Sequence, residues 1–356
     1  MTKIFRTAIR WLRSDNLKSK TCPEPRRRIQ NLKWAGFLAV FLVGCVAVAL
    51  AQQPTKISRI GFLITAPLSA IPARTEAFRQ GLRELRYVEG ENIVIEWRSA
   101  EGKLDRLPAL AAELVRLKVD IIVSAGPQPT RAAKEATTTI PIVMAQDPDP
   151  VGNGFVASLA RPGGNITGLA TLRPEISGKQ LELLKEIIPK LSRVAVFGTS
   201  TNPGNVQQRR EIELAAGAFG VKLQSLDVLS PKDIETAFRA AGKGRAEAVL
   251  MLVAGSIATA HRTEIVELAV KSRLPAIYNS AEFVEAGGLM SYATSFTDLY
   301  RRAATYVDKI LKGRTPADLP VEQPMKFEFI VNLKAAKQIG LTIPPNVLVR
   351  AEKVIR

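Results

Sequence analysis

Apolar positions recur along this chain in two alternating spacings. Residues 57–65 (ISRIGFLIT) form a compact apolar run with polar ends, the pattern of a strand. Residues 73–85 then set Ala77, Phe78, Leu82 and Leu85 at helical spacing. The alternation continues: a strand over 93–97 (IVIEW), a helix over 107–118, a buried strand over 119–124 (VDIIVS), a short helix over 130–136 and a strand over 140–145. After a glycine-rich interval it restarts. Helices are predicted over 180–188, 205–219, 231–241 and 257–272, between strands over 193–197, 222–228 and 248–253, with a short strand over 275–278. A helix over 298–312, a proline-punctuated linker over 316–324, a strand over 327–331 and a helix over 333–339 complete the chain. Strands alternating with helices imply βαβ units, a parallel sheet and right-handed crossovers.

The interval between the two runs, residues 147–170 (DPDPVGNGFVASLARPGGNITGLA), organises the rest. Asp147-Pro-Asp-Pro reads as a loop at the carboxyl end of a strand, feeding a helix start, which is where open α/β sheets bind ligands. Arg161-Pro-Gly-Gly-Asn is turn chemistry, and Gly163-Gly164 reads as a hinge between two α/β halves of similar size. Further connectors are predicted at Gly288–Tyr292 and Pro320–Pro324.

Charge and cysteine usage separate the first 51 residues from the rest. Of the formal net charge of +17, that segment carries +8 and the remaining 305 residues +9, with acids interspersed throughout. The remainder has no dense Lys/Arg block with interleaved aromatics, so nucleic acid is not the expected partner. The leading segment has its own order: a basic region through Arg26-Arg27-Arg28 and Lys33, an uncharged run from Trp34 to Ala51, and the small-x-small ending Ala49-Leu50-Ala51. That is the order of an export signal cleaved near Ala51. A retained membrane anchor is the alternative. Leu42-Val43-Gly44-Cys45 resembles a bacterial lipobox, with Cys45 as the residue that would carry lipid. Both cysteines, Cys22 and Cys45, lie in this segment, so a chain cleaved at Ala51 has no disulfide and no cysteine nucleophile.

Four ordered segments carry a family resemblance: FRQGLRELRYVEGENIVIEWRSAEGKLDRLPALAAELVRLKVDIIVSAG (78–126), ATTTIPIVMAQDPDPVGNGFVASLARPGGNITGL (136–169), LPAIYNSAEFVEAGGLMSYATSFTDLYRRAATYVDKILKG (274–313) and DLPVEQPMKFEFIVNLKAAKQIGLTIP (318–344). In these segments the chain resembles the ABC-transporter substrate-binding proteins of the tryptophan/tyrosine-type group, within the type I periplasmic-binding-protein superfamily. The resemblance implies two Rossmann-like lobes with parallel-sheet cores, joined by a three-segment hinge, with a small molecule bound between them. It implies residues 55–168 plus 291–321 as one lobe and 169–290 plus 322–356 as the other. It implies no cofactor, a monomer in the periplasm, and a permease in the inner membrane as partner. A ligand-sensing module for a membrane signalling partner is the alternative. SAGPQPT (124–130) and NSAEF (279–283) depart from the family near the expected cleft.

Ligand-facing positions should lie on loops after strands and at helix N-termini, where backbone N–H groups favour a carboxylate. On the first lobe the candidates are Thr65, Ser69, Ser124, Gly126, Gln128, Gln146 and Asp147. On the second they are Thr199, Ser200, Asn202, Ser256, Asn279 and Glu282. Hydroxyls and amides offer neutral hydrogen bonds, and an acid could pair with a ligand amine. Catalysis is not expected. His261 is the single histidine, within AHRTEI, and HExxH, GxSxG, the P-loop and GxGxxG are all missing.

Overall fold

The computed structural model describes residues 57–356, with positions 172, 201, 202 and 254 excepted and the side chains of 173–175, 203–204, 207 and 255–256 left aside. The export leader, with Cys45 and the site at Ala51, therefore lies outside the described residues, as does Asn202.

Among the described residues, twelve strands build two sheets. The first contains β1 (Ser58–Ile64), β2 (Ile93–Ser99), β3 (Ile121–Ala125), β4 (Ile142–Asp147) and β5 (Ile166–Ala170), all parallel, in the order β2-β1-β3-β4-β5. The second contains β6 (Arg193–Gly198), β7 (Lys222–Asp227), β8 (Ala248–Met251), β9 (Ala276–Tyr278), β10 (Met290–Thr294), β11 (Phe327–Asn332) and β12 (Lys353–Ile355), in the order β12-β11-β10-β9-β8-β6-β7. Strands β7-β6-β8-β9-β10 repeat the winding of the first sheet, and β11 joins β10 antiparallel. Each sheet reverses its strand order once, next to β1 and next to β6, and the crevice beyond the strand ends at such a point is the natural ligand position.

Helices cover both faces of each sheet, which explains why the strands read as continuous apolar runs. Ile60, Phe62 and Ile64 face α1 (Pro72–Glu84) on one side, while Leu63 between them packs among residues of α2 (Leu107–Arg116) and α3 (Pro127–Ala136) on the other. Phe62 stacks on Trp97 at 4.6 Å and meets Phe78 edge-on at 5.1 Å. In the second sheet Val194 and Val196 pack with α4 (Arg173–Ile187) and α5 (Pro203–Phe219), and Ala195 and Phe197 with α6 (Asp233–Lys243). The stretch predicted as one helix over 257–272 is two, α7 (Gly255–Ala260) and α8 (Arg262–Lys271), broken at His261. Short α9 (Ala281–Glu285), long α10 (Phe296–Leu311), α11 (Leu333–Gln338) and α12 (Pro345–Leu348) follow. Although α10 comes after the second sheet has begun, it packs on the first: Leu299, Tyr300, Ala303 and Val307 share the Phe62 core.

The chain therefore passes between the lobes three times, and the three passages lie side by side. Gly163-Gly164 is a turn that precedes β5, which still pairs with β4, so the first passage begins at Thr171 rather than at those glycines. Gly287 and Gly288 likewise precede β10, a full strand of the second sheet, and the return begins at Ser295. The third passage follows Glu322, which bridges Leu169 and receives a bond from Ala170 N at 2.9 Å. Thr294 Oγ1 donates to Thr171 O at 2.9 Å, and Ser295 N to Lys326 O at 3.3 Å. These cross-bonds tie the passages into one narrow ribbon.

Candidate functional site

A cleft of about 650 Å³ opens beyond the carboxyl ends of the strands and is lined from both lobes. The first lobe contributes Thr65 after β1, Gly126 and Gln128 after β3, and Gln146 and Asp147 at the end of β4. The second contributes Thr199 after β6 and Asn279 after β9. Seven of the sequence candidates are thus brought to one cavity.

Others are not. Ser124 is fully buried behind the loop, its hydroxyl 2.8 Å from Thr130 Oγ1, because strand alternation turns it away from the strand end. Ser69 lies exposed in a short 3-10 turn off the cleft. Ser200 is also exposed and donates its backbone N–H to Asp227. The side chain of Ser256 is not among those described. Glu282 does not line the cleft; its Oε1 is bound at 2.5 Å by Arg74 Nε, so it is already engaged by a cation. Burial works against ionisation of Glu282, but Arg74 outweighs it and holds the carboxyl down at about 2.

The loop after β4 is built by its own acids. Asp147 is fully buried, and its Oδ1 accepts from Asp149 N and Asn153 Nδ2, both at 2.9 Å. Asp149 Oδ1 in turn accepts from Gly152 N at 2.8 Å. This Asx network holds residues 148–155 in turns, where the sequence predicted a helix start. Asp147 and its neighbour Gln146 face the cavity, and Gln146 Oε1 is a buried acceptor with no bond among the described residues.

The helix N-terminus after β3 offers less to an anion than the sequence suggested. Gly126 takes φ +108, a backbone conformation that only glycine adopts readily, and turns the chain into α3. Pro127 and Pro129 then carry no N–H, and Thr130 N is spent on Gly126 O at 3.1 Å. Of the first turn, only the Gln128 N–H remains. On the opposite lobe Thr199 Oγ1 donates to Val228 O and Asn279 Nδ2 to Val253 O, both at 3.0 Å, so the Thr199 hydroxyl meets the cavity with its proton committed and Asn279 with one of its two amide protons committed.

Sequence reasoning missed the helix-borne members of the wall: Arg74 on α1, Arg131 on α3, Arg262 on α8, and the aromatic set Phe283, Phe296 and Tyr300. Arginines on amphipathic helices read as a solvated face, and aromatics at helical spacing read as core. Asn153, six residues beyond Asp147 in the same turn, carried the one usable signal. His261 is absent from the wall; its Nδ1 lies 2.9 Å from Glu264 Oε2. Among the described residues no group of three or more His, Cys, Asp or Glu is placed to hold a metal, and no helix is long and apolar enough to cross a membrane.

Known proteins are similar to this chain in architecture and in sequence. A family model described as ABC transporter substrate binding protein matches residues 64–355. The tyrosine-binding protein of Clostridioides difficile is 24% identical over 324 residues, covering 88% of this chain and 93% of that protein. A conserved domain protein from Vibrio cholerae, solved by crystallography, is 27% identical with a TM-score of 0.78, across 84% of this chain and all of that one. An ABC domain from Streptococcus pneumoniae, solved in complex with L-Trp, is 26% identical with a TM-score of 0.77, across 84% of this chain and 99% of that one.

Proposed function

The chain belongs to the family of ABC transporter substrate-binding proteins, and we propose that this member captures an amino acid, or an aromatic carboxylate of similar size, outside the cytoplasm and delivers it to the permease of an importer. The observation that supports this most directly is the cleft: about 650 Å³, lined from both lobes, beside three passages of chain. Small-molecule sites span about 300–1,000 Å³ and combine apolar walls with a few convergent polar groups. Phe283, Phe296 and Tyr300 are the apolar walls here. Gln146 and Asp147 are two acceptors side by side, suited to a ligand ammonium. The ligands printed for the relatives, tyrosine and L-Trp, combine an ammonium, a carboxylate and an aromatic ring, and this chemistry fits the wall.

In this reading Thr65, Gly126, Gln128, Gln146 and Asp147 contact the ligand from one lobe, and Thr199 and Asn279 from the other. The lobes close on it by rotation at Thr171, Ser295 and the segment after Glu322. A ligand can drive closure only if it binds the closed form better, and contacts from both lobes provide that difference. Residues 1–51 serve for export, with cleavage near Ala51 or lipid attachment at Cys45, and mass spectrometry of the protein from an envelope fraction separates the two.

The test is a melting-temperature screen against amino acids, aromatic acids and purines, since a ligand that binds only the folded state raises the transition. Calorimetric titration and small-angle scattering then follow on any hit. One site per chain, a ligand recovered unchanged and a smaller radius of gyration are the expected results. A chemical product, or an unchanged radius at saturation, would refute capture by closure.

A further inference from the structure

One ion pair in the cleft wall joins the lobes. Arg74, in the first turn of α1, reaches Glu282, in the first turn of α9, at 2.5 Å, and their side chains are only 11% and 15% exposed. The Arg74 guanidinium lies 4.1 Å from the centre of the Phe296 ring. Tyr300 sits beside it in the same wall. Glu282 does not line the cavity, whereas Arg74 does.

We propose that Arg74 recognises a carboxylate on the ligand, and that Glu282, reaching over from the opposite lobe, is a positioning residue that holds the guanidinium in place. This rests on the capture reading given above.

A guanidinium has five N–H donors in a planar fork and cannot lose its proton in a protein. Glu282 engages the fork at Nε, leaving the two terminal nitrogens for a ligand. Stacking on Phe296 fixes the plane of the fork, so a carboxylate arriving in that plane meets ready donors. Burial works against the charge of Arg74, and Glu282 restores it. Arg131 and Arg262 line the same cavity along with Asp147 and Asp149, so cations suited to a carboxylate stand beside acids suited to an ammonium. The helix N-terminus that the sequence suggested for this task is depleted by Pro127 and Pro129, which leaves the role to a side chain. Because the residue that holds Arg74 belongs to the other lobe, the carboxylate is bound fully only when the lobes meet, which links recognition to closure.

The experiment compares acids with their neutral counterparts on the full chain: L-tryptophan with L-tryptophan amide and tryptamine, and L-tyrosine with tyramine. Calorimetric affinities are measured for the parent and for R74Q, R74K, E282Q and E282D. The parent should prefer each acid by about tenfold to a hundredfold, the range of one charge-assisted hydrogen bond. R74Q should abolish that preference and R74K retain part of it. E282Q should weaken the acids about tenfold while leaving the amide and amines unchanged, and E282D should restore part of the loss. A merely structural role would weaken acid and neutral probes alike. Should R74Q fail to fold, the ratios in R74K and E282Q decide. Equal binding of acid and amide by the parent, or a preference that survives in R74Q or is unmoved in R74K and E282Q, would overturn the assignment and leave capture intact. Failure of every probe to bind would remove the amino-acid reading and this assignment together.

Discussion

Replacing Glu282 by Gln should destabilise the folded chain by an amount that fades as the solution is acidified. Burial opposes ionisation of Glu282, yet Arg74 more than offsets it, and the carboxyl titrates at about 2 instead of its ordinary 4.5. A depression of that size is worth at most roughly 3 kcal/mol. With the two side chains 11% and 15% exposed, solvent screening removes little of it. The folded-state value lies below the unfolded one, so the sign is fixed. Above about pH 5 both states are ionised and the full contribution is present. As pH falls, the unfolded chain takes up its proton first, and the contribution drains away until Glu282 itself protonates near pH 2. At about pH 3 roughly 1.5 kcal/mol should remain. The single substitution also strands Arg74 without its partner, a loss of about 3–5 kcal/mol in buried pairs. A double-mutant cycle of parent, R74Q, E282Q and R74Q/E282Q removes that complication and isolates the coupling. Urea unfolding followed by circular dichroism between about pH 7 and pH 3 supplies the four stabilities. A coupling that stays flat across that range, or one below about 0.5 kcal/mol as for an exposed pair, would refute the reasoning.

Gly168 has φ +134 and a Cβ there would stand 2.2 Å from Met144 O, so Gly168→Ala should cost at least ~2 kcal/mol in urea; a variant as stable as the parent would contradict the β4–β5 pairing described. Thr294→Val removes the bond to Thr171 O, and should lower the unfolding free energy by about 1 kcal/mol. Gln146→Leu should weaken calorimetric binding of L-tryptophan roughly fivefold to tenfold while raising the melting temperature slightly, because it deletes a buried acceptor that no donor among the described residues meets. Loss of stability in that variant would mean that Gln146 serves the fold and not the ligand.

The sheet cores were legible from the sequence because both faces of each strand are covered, which makes IGFLI, IIVSA and VAVF near-unbroken apolar runs. That same continuity hides which face a residue takes. Ser124 stands at a strand end, as Gln146 does, yet one is sealed against Thr130 and the other lines the cavity. Elements written in turn residues were also missed. The strand Ile166–Ala170 contains Thr and Gly, and α9 spans only Ala281–Glu285, too short for a helical period to register. Glycine signals marked turns that lie next to the passages between lobes, whereas Ser295, where the return begins, has an ordinary φ of −67. Arg74 was invisible for a different reason: only the approach of Glu282, 208 positions away, turns a helix-surface arginine into part of a wall.

The interleaving of the two lobes bears on how the chain can be synthesised. The first lobe lacks its covering helix until Phe296–Leu311 has been made, and the second lacks β11 and β12 until residue 355. Both cores therefore wait for residues near the end of the chain, and the usual order, in which an N-terminal domain folds while the next is still being translated, does not apply simply. Long-range pairings of this kind form slowly, and they leave apolar strands such as Ile60–Ile64 uncovered for most of translation. A polypeptide with this wiring keeps both cores open until its C-terminal third has been made, and an unfolded chain is the state in which threading through a narrow membrane pore is feasible.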